Sequence, residues 1–199
     1  MADIENEKEA KFFRLSVLGI LASRQDVESE YKHKLDFNQT IEEFFIQQEG
    51  IGKTQFDDWK EKHQQEIERI RNSANSDRIK GFGGRKEYLN WYLEHPKQCC
   101  YCGIEESKLK LYFNEDNLQY IDARQRGKFL EIERIETAPK EKNLYNPSNC
   151  TLVCYVCNNA KSDFISAQNF MPIAKGIHGF WSKLGIEVNF PINSSIWGK

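Results

Sequence analysis

Apolar residues in the first 95 positions recur at helical spacing. In "TQFDDWKEKHQQEIERIR" (54–71), Phe56, Trp59, His63, Ile67 and Ile70 stand three or four apart, the stripe of a helix packed on one face. The same spacing predicts helices in "EAKFFRLSVLGILA" (9–22), "TIEEFFIQQ" (40–48) and "RKEYLNWYLEH" (85–95), with Gly50, Gly52 and "GFGG" (81–84) between them. "NSANSD" (72–77) reads as a connector, and there is no internal repeat. From residue 97 the period changes. "KFLEIERIE" (128–136) alternates as a strand does, a polar loop "TAPKEKNLYNPSN" follows, and "CTLVC" (150–154) is a second short strand. Phe170, Ile173, Ile177, Phe180, Trp181 and Leu184, with Pro172 in the first turn and Gly185 beyond the end, predict a closing helix. The tail 186–199 adds a strand or drapes over the surface. The pattern therefore predicts an α+β chain, with a helical region over 1–95 and a second domain over 96–199.

Bulk properties narrow this only slightly. At 199 residues the chain can bury a core without covalent staples. Lys and Arg number 28 against 30 Asp and Glu, so no overall basic field points to a nucleic acid. Residues 1–95 carry 15 basic and 19 acidic side chains, net −4, and 96–199 carry 13 and 11, net +2, so a polyanion would favour the second domain. The start lacks a basic leader and a cleavage site, and Arg14 interrupts its apolar run, which predicts a cytoplasmic protein and no membrane partner. "GIGKT" (50–54) resembles a phosphate loop, but Gln47 stands where that motif needs glycine and the preceding pattern is helical; a turn between helices with Thr54 as N-cap fits better.

All 6 cysteines lie between positions 99 and 157. Cys99-x-x-Cys102 and Cys154-x-x-Cys157 each let two thiolates turn onto one ion, and four thiolates at tetrahedral geometry form a closed, structural zinc site. A thioredoxin-like redox pair would need only one such motif, in another context. Cys100 and Cys150 are left over as packed or exposed thiols. A closed zinc explains folding, so activity has to come from what lies between the clamps.

There the motifs "CCYCG", "LEIERIE", "NPSNCTLVC" and "CNNAKSD" resemble the HNH endonucleases, the ββα-metal or His-Me finger nucleases, in the subset pinned by four cysteines. The resemblance covers about residues 97–170. It implies a zinc-stapled ββα-metal finger followed by a C-terminal helix. It also implies a divalent-metal-dependent endonuclease that hydrolyses DNA phosphodiesters, of the kind found in restriction, phage defence or mobile elements. Matched residue by residue, Glu133 and Asn158 take the places of the ligands to a catalytic Mg²⁺ or Mn²⁺. Asn149 takes that of the residue bracing the loop, and Lys161 that of a basic residue near backbone phosphate.

Arg134 stands where the family has its general-base histidine. A guanidinium with a pKa above about 12 cannot accept a proton near neutral pH; it can grip a phosphate oxygen. His95, His178, Glu136, a metal-bound hydroxide and the substrate's own phosphate remain open as acceptors, as does the absence of any protein base. His63, on an apolar stripe, reads as a core histidine and His33 as a surface one. So weakly charged a chain is expected to act as a homodimer or with a partner protein that completes the DNA surface, residues 1–95 serving docking or target recognition. The rival reading is a catalytically degenerate zinc module that binds DNA or a protein.

Overall fold

A computed structural model describes residues 4–113 and 127–189. The chain divides into two compact units, one formed by Ala2–Ile79 with Gly83–Leu93, the other by Lys80–Phe82 with Glu94–Lys199.

In the first unit, side chains set where each helix starts. Helix α1 (Glu7–Leu18) opens where Asn6 accepts the Glu9 N–H, and α2 (Arg24–Tyr31) where Ser23 accepts that of Asp26. Helix α3 (Ile41–Glu49) opens on a capping box of Thr40 and Glu43. The long α4 (Lys53–Ser73) begins after Gly52, and α5 (Arg85–Glu94) follows a short 3₁₀ stretch, Asp77–Phe82. Thr54 is thus inside α4 and is not its N-cap. Gly50, left-handed at the end of α3, turns the chain, and Gly52 takes the N-cap position, so the next helix starts two residues earlier than expected. Helix α1 packs on α4, where Phe12 meets Phe45 and Phe56 edge-to-face. His63 Nε2 lies 2.8 Å from Glu9 Oε1, with both side chains fully buried and Lys62 Nζ 2.9 Å from the same oxygen. His63 is the core histidine that its position on the stripe implied, and His33 is exposed.

The second unit holds α6 (Glu106–Tyr112), β1 (Glu131–Arg134), β2 (Cys150–Val153), α7 (Tyr155–Lys161) and α8 (Ala167–Lys183). Strands β1 and β2 pair antiparallel in the register Glu131 to Val153, Ile132 to Leu152, Glu133 to Thr151 and Arg134 to Cys150. The fold is mixed helix with a small antiparallel sheet, α+β in class. Helix α7 packs against β1 on one side and α8 on the other; Phe170, Ala174 and Trp181 form the buried stripe of α8. That helix starts earlier than the apolar pattern indicates, because the Ser166 hydroxyl accepts the Asn169 N–H, and Pro172 falls inside it. Strand β1 is shorter than the alternating run, and neither α2 nor α6 was foreseen. Residues 186–189 carry no strand, and the rest of the tail lies outside the described residues. Among the described residues no helix is long and apolar enough to cross a membrane.

Candidate functional site

Two turns bring the cysteine pairs together. In the first, the Cys99 N–H donates to the Ile104 carbonyl at 2.8 Å and the Gly103 N–H to the Cys99 carbonyl at 3.0 Å. Gly103 has φ 84°, and a Cβ there would lie 2.2 Å from the Asn189 carbonyl oxygen, so only glycine fits. The Cys100 N–H reaches the Leu152 carbonyl at 3.0 Å, pinning this turn to β2. In the second, Cys154 is the N-cap of α7 and its Sγ accepts the Cys157 N–H at 3.4 Å. The Sγ atoms of Cys99, Cys102, Cys154 and Cys157 all lie within 4.8 Å of one another, and all four residues are buried. Cys102 Sγ and Cys154 Sγ are 3.6 Å apart; sulfurs about 2.3 Å from a shared tetrahedral ion stand about 3.8 Å apart. This donor set could hold a metal ion. Cys100 and Cys150 lie outside it, and burial pushes both thiols up, Cys150 to about 11, so neither is a ready nucleophile at neutral pH.

A polar cluster lies between β1 and α7. Alternation along β1 puts Glu131 and Glu133 on one face of the strand, and both meet side chains of α7. Asn158 Nδ2 donates to Glu131 Oε2 at 2.5 Å, and Lys161 Nζ donates to Glu133 Oε1 at 2.7 Å. Asn158 and Lys161 share a helix face because they are three residues apart. Lys161 is fully buried and Glu133 is 7 % exposed. Burial pushes the Glu133 carboxyl above the usual carboxylate range, while the Lys161 ammonium and Arg134 pull it down. Two hard oxygens here, Glu133 Oε2 and Asn158 Oδ1, have no hydrogen-bond partner among the described residues. Lys161, expected near phosphate, has its ammonium on Glu133 and on the Arg134 carbonyl at 3.2 Å.

Arg134 is held from several sides. One terminal nitrogen donates to Asn143 Oδ1, and the other to Asp163 Oδ1 at 2.9 Å. The guanidinium sits 4.6 Å from the centre of the Tyr145 ring. Its Nε is buried with no partner among the described residues. Asp163 is brought there by Ser162, which caps α7 at φ 54° and ψ −165°, a conformation that costs a non-glycine residue about 1–3 kcal/mol. The Thr137 hydroxyl donates to the Asp163 carbonyl at 3.1 Å, closing the loop onto the helix end.

Asn149 fastens that loop. Its Oδ1 accepts the Glu136 N–H at 2.8 Å, and its Nδ2 faces the carbonyls of Glu136, Lys142 and Leu144, each at 2.9 Å. Of the open proton acceptors, His178 Nδ1 pairs with the Cys102 carbonyl at 3.0 Å, joining α8 to the cysteine turn. Glu136 pairs with Lys142 at 3.3 Å on the surface, and His95 is half-buried. Sequence reasoning passed over Glu131, Asn143 and Asp163. Glu131 was within reach, being two residues from Glu133 on an alternating strand; Asn143 and Asp163 depend on loop geometry that no local pattern encodes. Comparison with protein-family models, with curated proteins and with solved structures gives no match.

Proposed function

We propose that the chain is a divalent-metal-dependent endonuclease of the HNH kind acting on DNA, with structural zinc in the four-cysteine cage. The observation that carries this reading is the pairing of strand and helix beside that cage. Glu133 on β1 and Asn158 on α7 each keep one hard oxygen uncommitted on adjoining surfaces, and Arg134 follows Glu133 directly. A carboxylate and an amide oxygen suit Mg²⁺ or Mn²⁺, which would fill its other positions with water and a phosphate oxygen. When bound, the ion supplies Lewis-acid polarisation of the phosphodiester and stabilises the departing oxygen.

The chain's own groups then divide the remaining work. Lys161 keeps the Glu133 carboxylate oriented, Asn149 fixes the loop that carries Asn143 and Tyr145, and Arg134 offers N–H donors to a phosphate. Arg134 cannot take the proton from water. Affinity for DNA would come mainly from the backbone and fall with salt, and a second copy or a partner protein would complete the surface.

One observation favours the rival, non-catalytic binding module: Lys161 and Arg134 both have internal carboxylate partners. Titration with Mn²⁺, followed by its paramagnetic resonance signal, separates the two readings. The expected result is one Mn²⁺ per chain beyond the sulfur-bound metal, lost in both Glu133→Ala and Asn158→Ala while zinc content persists. Equal Mn²⁺ binding in wild type and both variants would remove the proposed ion site.

A further inference from the structure

We propose that Arg134 forms an anion seat whose internal occupant is the Asp163 carboxylate, and that a DNA phosphate engages Arg134 by displacing it; this rests on the nuclease reading above. The two partners are held very differently. The Arg134 side chain is 18 % exposed, whereas that of Asp163 is 64 % exposed, 2.9 Å away. The arginine belongs to β1 and keeps Asn143 and the Tyr145 ring as supports when the carboxylate leaves. Asp163 arrives from beyond the end of α7 through Ser162, whose φ of 54° is a conformation that glycine would adopt more readily. The contact is thus made by an exposed side chain on a strained turn.

Chemistry favours exchange for a phosphate. Carboxylate and phosphate oxygens both accept the forked N–H groups of a guanidinium. Asp163 takes one terminal nitrogen, and the buried Nε is left without a partner among the described residues. A tetrahedral anion with more acceptor oxygens could meet both donors of that edge. Charge points the same way: Lys161 is neutralised by Glu133 and Arg134 by Asp163, so the closed cluster attracts no polyanion. Moving Asp163 aside exposes a positive charge beside Glu133 and Asn158, where the proposed ion and the scissile phosphate would meet. Asp163 is then a positioning and gating residue, and the site selects ligands able to outcompete a carboxylate.

The test measures binding of a fluorescent DNA duplex to the full chain without divalent ions, across a salt series, with inorganic phosphate as competitor. Asp163→Asn and Asp163→Ser are expected to bind about tenfold tighter than wild type, the ratio corresponding to one charge-assisted contact released. The gain should vanish when either change is combined with Arg134→Gln, and phosphate should compete better against the Asp163 variants. A gain that persists in the Arg134→Gln background would overturn the gate, since it would reflect general charge alone. Unchanged affinity in both Asp163 variants, with weaker binding by Arg134→Gln, would overturn the gate and leave the nuclease reading standing. If wild type and all variants fail to bind DNA at low salt, the nuclease reading itself falls. Loss of folding by circular dichroism in both Asp163 variants would also overturn the proposal, because a carboxylate required for folding is not displaceable.

Discussion

An ammonium shut away from solvent has to be compensated, and Lys161 meets the Glu133 carboxylate at 2.7 Å. Replacing the lysine alone strands a carboxylate in the same interior. Lys161→Met is therefore expected to lower stability by about 3–5 kcal/mol, and the double variant with Glu133→Leu to recover most of it, as measured by denaturant unfolding. Its pH dependence has a definite sign. Burial already raises the Glu133 carboxyl above its ordinary value of 4.5, and loss of the lysine raises it further. The folded Lys161→Met chain then holds a proton that the unfolded chain has released, so its stability falls as pH rises from that ordinary value through the folded one. Melting from mildly acid to neutral pH reads this directly. The alternation in "LEIERIE" predicted a half-buried strand but said nothing of its charges. Ile132 is half-buried while Glu133 is buried, because α7 covers the glutamate face and supplies the neutralising lysine. Only the resemblance singled out Glu133, and it placed Lys161 at phosphate when its ammonium faces Glu133.

Most helices were legible from their apolar spacing, but their starts were not. Asn6, Ser23, Thr40 and Ser166 each cap a helix through their own side chain, whereas Thr54 was the one cap expected and α2, opened by Ser23, was not expected at all. What else escaped depends on contacts made over distance. Helix α6 carries a fully buried Glu106, whose Oε2 accepts the Leu130 N–H at 3.0 Å, a bond that no periodicity anticipates. The turn holding the first cysteine pair shows how narrow such tolerances are. Gly103 is left-handed and lies against the Asn189 carbonyl, so Gly103→Ala combines backbone strain with a collision. The expected cost is about 1–3 kcal/mol, seen as a lower melting temperature with weaker zinc retention. Gly176→Ala, in α8 with nothing within 4 Å of the added carbon, is the control and should be neutral or slightly stabilising.

For the whole molecule, the two units rest on different cohesion. The first has an aromatic core in which Phe12, Phe45, Phe56 and Trp59 are buried together. The second joins a sheet of only two four-residue strands, too little to stand alone, to buried side chains that include Tyr101, Phe170 and Trp181. Its cysteine cage joins the turn before α6 to the start of α7, so a bound metal would contribute directly to folding. Chelation is expected to abolish hydrogen-exchange protection in β1, β2 and α7, while α1 and α4 keep theirs. Retained protection in the strands after complete metal removal would mean that the cage is not what holds them. The cage was legible from cysteine spacing alone; how its surroundings serve function was not, because Arg134 departs from the pattern its neighbours resemble.

The central claim is that Glu133 and Asn158 hold an ion that cuts DNA, and plasmid cleavage tests it most directly. Supercoiled plasmid is incubated with the zinc-loaded full chain and Mg²⁺ or Mn²⁺, in parallel with Glu133→Ala and Asn158→Ala variants of matched zinc content and melting temperature. Nicked or linear product from wild type, with a loss of at least about a hundredfold in each variant, is the expected result, since each change removes a ligand from the proposed ion. Equal cutting by both variants, or no cutting by wild type with either ion and with a partner supplied, would contradict it.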